Sequence, residues 1–425
     1  MVLRGRVADG GDPARKRRLI VAAAIVPALL APPHARAQQR PRAVPMTFHQ
    51  ALALAWDRLP QRRTYVAQQE VAAAQNLEGS ALFPDAPSVS SMYVNDNMLG
   101  SAEDYITTQV QVTTPLWLPG EGTATQKLAQ ARGAAASAAG EAAHLSLALQ
   151  LLNLSARAAL DAAARDIAQR RLATSQALAT DARNRFHTGE GAEADMLAAD
   201  ADVGWARVNV SDAEARLAGS LASLAALLGG ETIPRLVSPV RPAALGPEGM
   251  AHDPRLAAAQ RAVEVAQANL RLVRLQDRND PEIGVVGINE KQYGAPWDTR
   301  FGVVLRFSFA SEARNAPRRA AAEEQLTQAE ARLEEARRRI VAQYRQANAT
   351  LISAERGAAV AVRAARELAQ RQDMVERSWK QGEMPLIEVV RANASAFDAA
   401  FSAARSRTLL EAARLEVVIA QGVIP

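Results

Sequence analysis

The chain repeats itself, and the repeat limits what it can fold into. RFHTGEGAEADML, Arg185 to Leu197, returns as RSWKQGEMPLIEV, Arg377 to Val389, so that Gly189-Glu190 and Gly382-Glu383 stand 193 residues apart. Six residues after each glycine comes a carboxylate, Asp195 and Glu388. Leu59-Pro60-Gln61-Arg62 and Asp253-Pro254-Arg255-Leu256 each open a helical segment, and their prolines are 194 residues apart. The stretch from Pro87 to Asn95 answers Pro281 to Asn289 at the same offset. One offset kept across three separate features is a tandem duplication, 47–230 and 250–425. The bridge between the copies, 231–249, is rich in Pro and Gly and reads as a connector.

Each copy has the order helix, two strands, very long helix, turn, helix. In the second, Leu256, Ala259, Val263, Ala266, Leu270 and Val273 step by three and four, a heptad seam, as do Leu326, Ala329, Leu333, Ala336 and Ile340. From about Thr123 to His187 there is no Pro and little Gly; unbroken, such a helix would be ~95 Å long. The second copy offers its counterpart from about Pro317 to Gln381. The turns fall at about 187–191 and 381–384. By length, the helices near 192–228 and 250–278 together match one long helix, as do those near 47–79 and 385–422. Two short helices stacked end to end would then run beside each long one.

Between the helices the period changes. Val110 and Val112 alternate with polar residues, and Phe301, Val303, Leu305, Phe307 and Phe309 share one face of a strand. The strands are expected within about 87–117 and 281–309, and half of the chain's 18 aromatic residues lie in 83–117 and 281–309. Strands of about 9–11 residues with aromatics near their ends suit an outer-membrane barrel. A small β-domain on a helical stalk fits the alternation equally well.

The N-terminus decides what the charge means. Arg15-Lys16-Arg17-Arg18 precede an apolar run, Leu19 to Ala31, and Ala35-Arg36-Ala37 precedes Gln38. This is the order of a secretory signal, 1–37, with cleavage between Ala37 and Gln38 and a lead-in at 38–46. The run is too short to cross a bilayer as a helix. The signal carries seven basic and two acidic side chains, which accounts for the formal charge of +5, so the remainder is near neutral and a nucleic-acid partner is not indicated. There is no Cys, which excludes disulfides, thiolate metal sites and thiol nucleophiles.

The signal, the repeat, the element order and the duplicated turns make the chain resemble the TolC-type outer-membrane efflux channels. The residues that carry the likeness are Phe186, Gly189-Glu190 and Asp195-Met196-Leu197, answered by Trp379, Gly382-Glu383 and Glu388-Val389-Val390. It spans 47–425 and is strongest toward the branch that serves heavy-metal pumps. The resemblance implies a mainly α fold with a small β part. Tandem helical hairpins would form an α-barrel, and four strands per chain would enter a trimeric twelve-stranded β-barrel in the outer membrane of a Gram-negative bacterium. It implies a passive exit duct, metal cations among its cargoes. The partners would be two further copies, outer-membrane lipid, a periplasmic adaptor and an inner-membrane pump of the resistance-nodulation-division type. Gly189, Glu190, Gly382 and Glu383 would form hairpin tips where the adaptor docks, with Phe186 and Trp379 packed behind them.

Asp195 and Glu388 have two readings. Acids in a first helical turn complement the helix dipole, and by the resemblance they ring the periplasmic aperture. Arg391, three residues past Glu388, can pair with it along the helix and so weaken an anionic gate. Gly120-Glu121-Gly122 lacks the Lys-Ser/Thr of a phosphate loop and reads as a strand-to-helix turn. His49, His144, His187 and His252 have no metal-ligand spacing among them. No catalytic constellation, metal site or cofactor is expected. The rival reading is a periplasmic adaptor or coiled-coil scaffold, which would need one hairpin and larger β-domains.

Overall fold

The computed structural model describes residues 46–96, 105–237, 252–292 and 294–425. The expected signal, the cleavage site at Ala37 and Gln38, and the connector from 238 onward lie outside the described residues. Among the described residues seven helices and four strands follow in order: α1 (Phe48–Arg58), α2 (Pro60–Ser80), β1 (Ser88–Asn95), β2 (Ile106–Pro115), α3 (Glu121–Thr188), α4 (Glu193–Leu228), α5 (Pro254–Leu275), β3 (Glu282–Lys291), β4 (Asp298–Arg306), α6 (Glu312–Lys380) and α7 (Leu386–Ala420).

The long helices are as long as the sequence promised: α3 has 68 residues and α6 has 69, each ~100 Å from end to end. Pro317 lies inside α6, not at its start. It falls in the second turn, where its missing N–H costs one intrahelical bond close to an end that is already incompletely bonded. The two heptad seams meet each other. Val263 and Ala266 of α5 pack on Ala329, flanked by Leu326 and Leu333 of α6.

The short helices stack differently from what their lengths suggested. The C-terminus of α4 ends at Gly229 against the Arg58 guanidinium, just before α2 begins, so α2 continues the line of α4. The C-terminus of α7 meets the start of α5, where Arg255 Nη2 donates to Ala420 O at 2.9 Å and to Asp253 at 2.5 Å. Asp253, the N-cap of α5, is buried there. The columns are therefore α4–α2 and α7–α5, not 192–228 with 250–278 and 47–79 with 385–422. The reason lies in the linker. A helix that simply continued α4 would need only a short joint, whereas more than twenty residues separate Leu228 from Pro254. α3 lies between the two columns, with α2 and α4 on one side and α5 and α7 on the other.

The main core sits at mid-height, where these joints fall. Phe48, Leu52 and Ala55 of α1 pack on Leu145, Ala148, Leu151 and Leu152 of α3, on Leu224 and Leu228 of α4, and on Leu415 and Ile419 of α7. A capping box between Thr47 and Gln50 fixes the start of α1. His49 Nδ1 lies 3.0 Å from Pro425 O, tying the last residue into the same layer. A second core near the turns joins Leu178, Ala179 and Ala182 of α3 to Ala199 and Val203 of α4, Val375 and Trp379 of α6, and Leu386, Val389 and Ala392 of α7.

The strands form one antiparallel sheet in the order β1-β2-β3-β4. Its register sets Val89, Val112, Val285 and Val303 in a row across all four strands.

Candidate functional site: the sheet, its neck and the hairpin tips

Two neighbouring positions show what the sheet is for. Period-two alternation sends Val303 and Val304 to opposite faces. The valine row shares its face with Tyr93, Val110, Ile283, Phe301 and Leu305, and this face is bare: Phe301 is 88% exposed and Val303 70%. The other face carries Ser88, Ser90, Gln109 and Gln111 and two cross-strand ion pairs, Arg306–Glu282 at 3.0 Å and Arg300–Glu290 at 2.5 Å. β1 and β4 are the sheet's two edges and are not bonded to each other. One face suits hydrocarbon, the other water, and the edges suit further strands. Phe307 and Phe309 follow the end of β4 and are exposed.

Below the sheet the strands join the helices through a buried acid. Glu121, at the first position of α3 and only 3% exposed, accepts from Gln276 Nε2 at 2.6 Å and from the Leu118 N–H at 3.2 Å. Asp280 hydrogen-bonds to it, and its pKa is pushed up to about 6, first by burial, then by the Glu121 hydrogen bond and charge. Below about pH 6 Asp280 carries a proton that it can share with Glu121. In the second repeat the position 194 residues on is Asn315, also buried, whose Nδ2 donates to Asp277 O at 2.5 Å.

At the far end both long helices stop in the same way. Gly189 and Gly382 each have φ of +80°, a conformation glycine adopts without the Cβ penalty. Glu190 N–H reaches back to Arg185 O at 2.8 Å and Gly189 N–H to Phe186 O at 3.1 Å; Glu383 and Gly382 repeat the pattern onto Ser378 O at 2.9 Å and Trp379 O at 3.0 Å. These are Schellman closures. Asp195 lies exposed in the first turn of α4. Glu388 lies in the first turn of α7 and pairs with Arg391 at 2.8 Å.

Trp379 and Phe186 are not equivalent. Trp379 is 5% exposed and belongs to the lower core, whereas Phe186 is half-buried and lies 5.8 Å from the His187 ring. The residue that joins the two tips is Arg185. Its guanidinium stacks 4.4 Å from the centre of the Trp379 ring, and it donates to Trp379 O at 3.2 Å and Lys380 O at 2.9 Å. A cation is thus supplied to the carbonyl end of α6 from the other repeat. Asp195, Glu190, Gly382 and Leu386 line a cavity of about 160 Å³ beside this clamp. Sequence reasoning passed over Arg185, since nothing local distinguishes it from any other helix-end arginine. Among the described residues no group of three or more His, Asp or Glu side chains is placed to hold a metal ion.

A model of the outer membrane efflux protein family matches residues 60–230, from α2 to the end of α4. That stretch is similar to the outer membrane efflux proteins. No curated protein sequence matches the chain. Among solved structures, the Campylobacter jejuni outer membrane channel CmeC superposes with a TM-score of 0.73 at 13% identity, over 88% of this chain and 85% of its own. CusC gives 0.72 at 16% identity, over 90% and 93%. The Neisseria gonorrhoeae channel MtrE in its open state gives 0.71 at 18% identity, over 88% and 89%. The likeness therefore runs through both repeats, and the fold, mainly helical with four antiparallel strands, is that of these solved channels.

Proposed function

We propose that this protein is the outer-membrane channel of a tripartite export system. It would be a passive duct for substrates that an inner-membrane pump of the resistance-nodulation-division type delivers through a periplasmic adaptor. The observation that carries the reading is the four-stranded sheet with one bare apolar face, one polar face and two open edges. Four strands cannot close a filled barrel, for which about eight is the practical minimum. Three copies, each pairing β4 with the next copy's β1, would give twelve strands and remove every edge. The apolar face would meet lipid, and the face bearing Arg306–Glu282 and Arg300–Glu290 would line water.

In this reading the helical body reaches into the periplasm and the Gly189 and Gly382 turns ring its far opening. Glu190 and Glu383 lie beside them as adaptor contacts, and Asp195 and Glu388 are the aperture's acids, the latter partly neutralised by Arg391. A periplasmic adaptor would have no use for a bare apolar sheet, which disfavours the rival reading.

The test is to express the protein with its own leader in a Gram-negative host, isolate outer membranes, extract in mild detergent and measure the particle's mass. A trimer whose chains begin at Gln38 is expected. A soluble periplasmic monomer would overturn the reading.

A further inference from the structure

About two-thirds of the way down the helical body, α3, α6 and α7 enclose a cavity of about 440 Å³. Each helix contributes one arginine to its lining: Arg170 from α3, Arg366 from α6 and Arg407 from α7. None of the three makes an ion pair or a side-chain hydrogen bond among the described residues. Other arginines on the same helices do: Arg171 pairs with Asp202, Arg183 with Asp200, and Arg337 with Glu334. The cavity's single acid, Asp166, is held by Arg165 at 2.5 Å. The rest of the lining is apolar, with Ile167, Val362 and alanines of all three helices.

All three guanidinium groups are exposed to solvent, which screens their mutual repulsion and leaves them free to close on an anion. Guanidinium groups match carboxylate and phosphate oxygens in a planar, two-pronged geometry. A lipid headgroup is excluded by distance. Asp166 lies 45 residues along α3 from Glu121, which places the cavity ~70 Å from the neck below the sheet. Its volume lies within the range of small-molecule pockets, about 300–1,000 Å³. The mixture of three cationic heads and an apolar floor selects among anions, because a bare inorganic ion would leave Ile167 and Val362 uncovered.

We infer that the cavity between α3, α6 and α7 binds a small organic anion, its acidic group on Arg170, Arg366 and Arg407 and its apolar body over Ile167 and Val362. That such an anion is cargo passing along the body rests on the channel reading; the binding does not. Calorimetric titration of the full-length assembled particle in detergent tests it, with salicylate as the organic probe and inorganic phosphate as the control. Saturable salicylate binding is expected, with phosphate at least tenfold weaker. The triple variant R170A/R366A/R407A should lose salicylate binding at least tenfold, and Ile167→Gln should weaken salicylate without changing phosphate. Circular dichroism confirms that each variant is folded; if the triple variant is not, Ile167→Gln alone decides. No saturable salicylate binding, unchanged affinity in the folded variants, or phosphate bound as tightly as salicylate would each overturn the proposal. So would binding to dissociated single chains but not to the assembled particle, which would mean that acids of a neighbouring copy fill the site. Conductance in planar bilayers is measured separately, so loss of the channel reading and loss of the site give different results.

Discussion

Arg185 shows how much of the tip depends on one side chain reaching across the repeat. It faces the Trp379 ring and caps two carbonyl groups at the end of α6. Arg185→Ala should free the two hairpins from each other, and single channels in planar bilayers should open more often, with unchanged unitary conductance. Neutralising Asp195 and Glu388 together, as Asp195→Asn with Glu388→Gln, should lower the preference for cations, read as a shift in reversal potential under a salt gradient. Each change alone should do less, because Glu388 already shares its charge with Arg391. At the neck, the Asp280 pKa is raised to about 6 from 3.8. The folded chain therefore holds this proton more tightly than the unfolded chain does. The stabilisation is complete below the unfolded value and is lost as pH rises through the folded one. Asp280→Asn cannot ionise, so it should raise the melting temperature at pH 8 and leave it nearly unchanged at pH 4. The Asp195 and Glu388 positions were legible because the repeat marks them. Arg185 and Glu121 were not, because their partners, Trp379 and Asp280, are distant in sequence and only the fold brings them together.

Glycines and valines set the terms for the elements. At Gly189 a Cβ would meet nothing within 4 Å, so Gly189→Ala bears only the conformational cost of φ near +80°, about 1–2 kcal/mol. At Gly284 in β3 a Cβ would fall 2.2 Å from Val112 O, closer than any strand pair tolerates. Gly189→Ala should therefore assemble with a slightly lower melting temperature, whereas Gly284→Ala should yield little assembled particle on a sizing column. The sheet offers a second contrast between adjacent residues. Val303→Arg would put a cation on the bare apolar face, at about 2–4 kcal/mol if it lies near the bilayer midplane, whereas Val304→Arg faces the polar side. The first should drain the protein from the outer-membrane fraction and the second should not. The alternation around Val110, Val112 and Phe301 to Leu305 made these faces readable in advance, since a period of two admits only two assignments. It could not say that the apolar face would be left uncovered, which distinguishes a lipid-facing sheet from a stalk.

At the scale of the whole molecule, length was a sound guide to the long helices and a poor one to their neighbours. Heptad seams such as Leu256 to Val273 show that a helix has a partner but not which one. The joints that settle it, Arg58 against the end of α4 and Arg255 against the end of α7, are contacts between helix termini that no periodicity encodes. Their effect is that each repeat supplies one long helix and one complete column of its own, α3 with α4–α2 and α6 with α7–α5. Half a chain is thus a whole segment of the proposed ring. A ring of unduplicated halves would have six identical seams. Fusion in pairs leaves three seams sealed within chains, where α3 meets α5 and α7, and three between chains. A mutation in one repeat alters every second segment, so evolution can harden alternate seams and leave the others free to part. In the proposed trimer, duplication would turn a ring that could only loosen everywhere at once into one with three places to give.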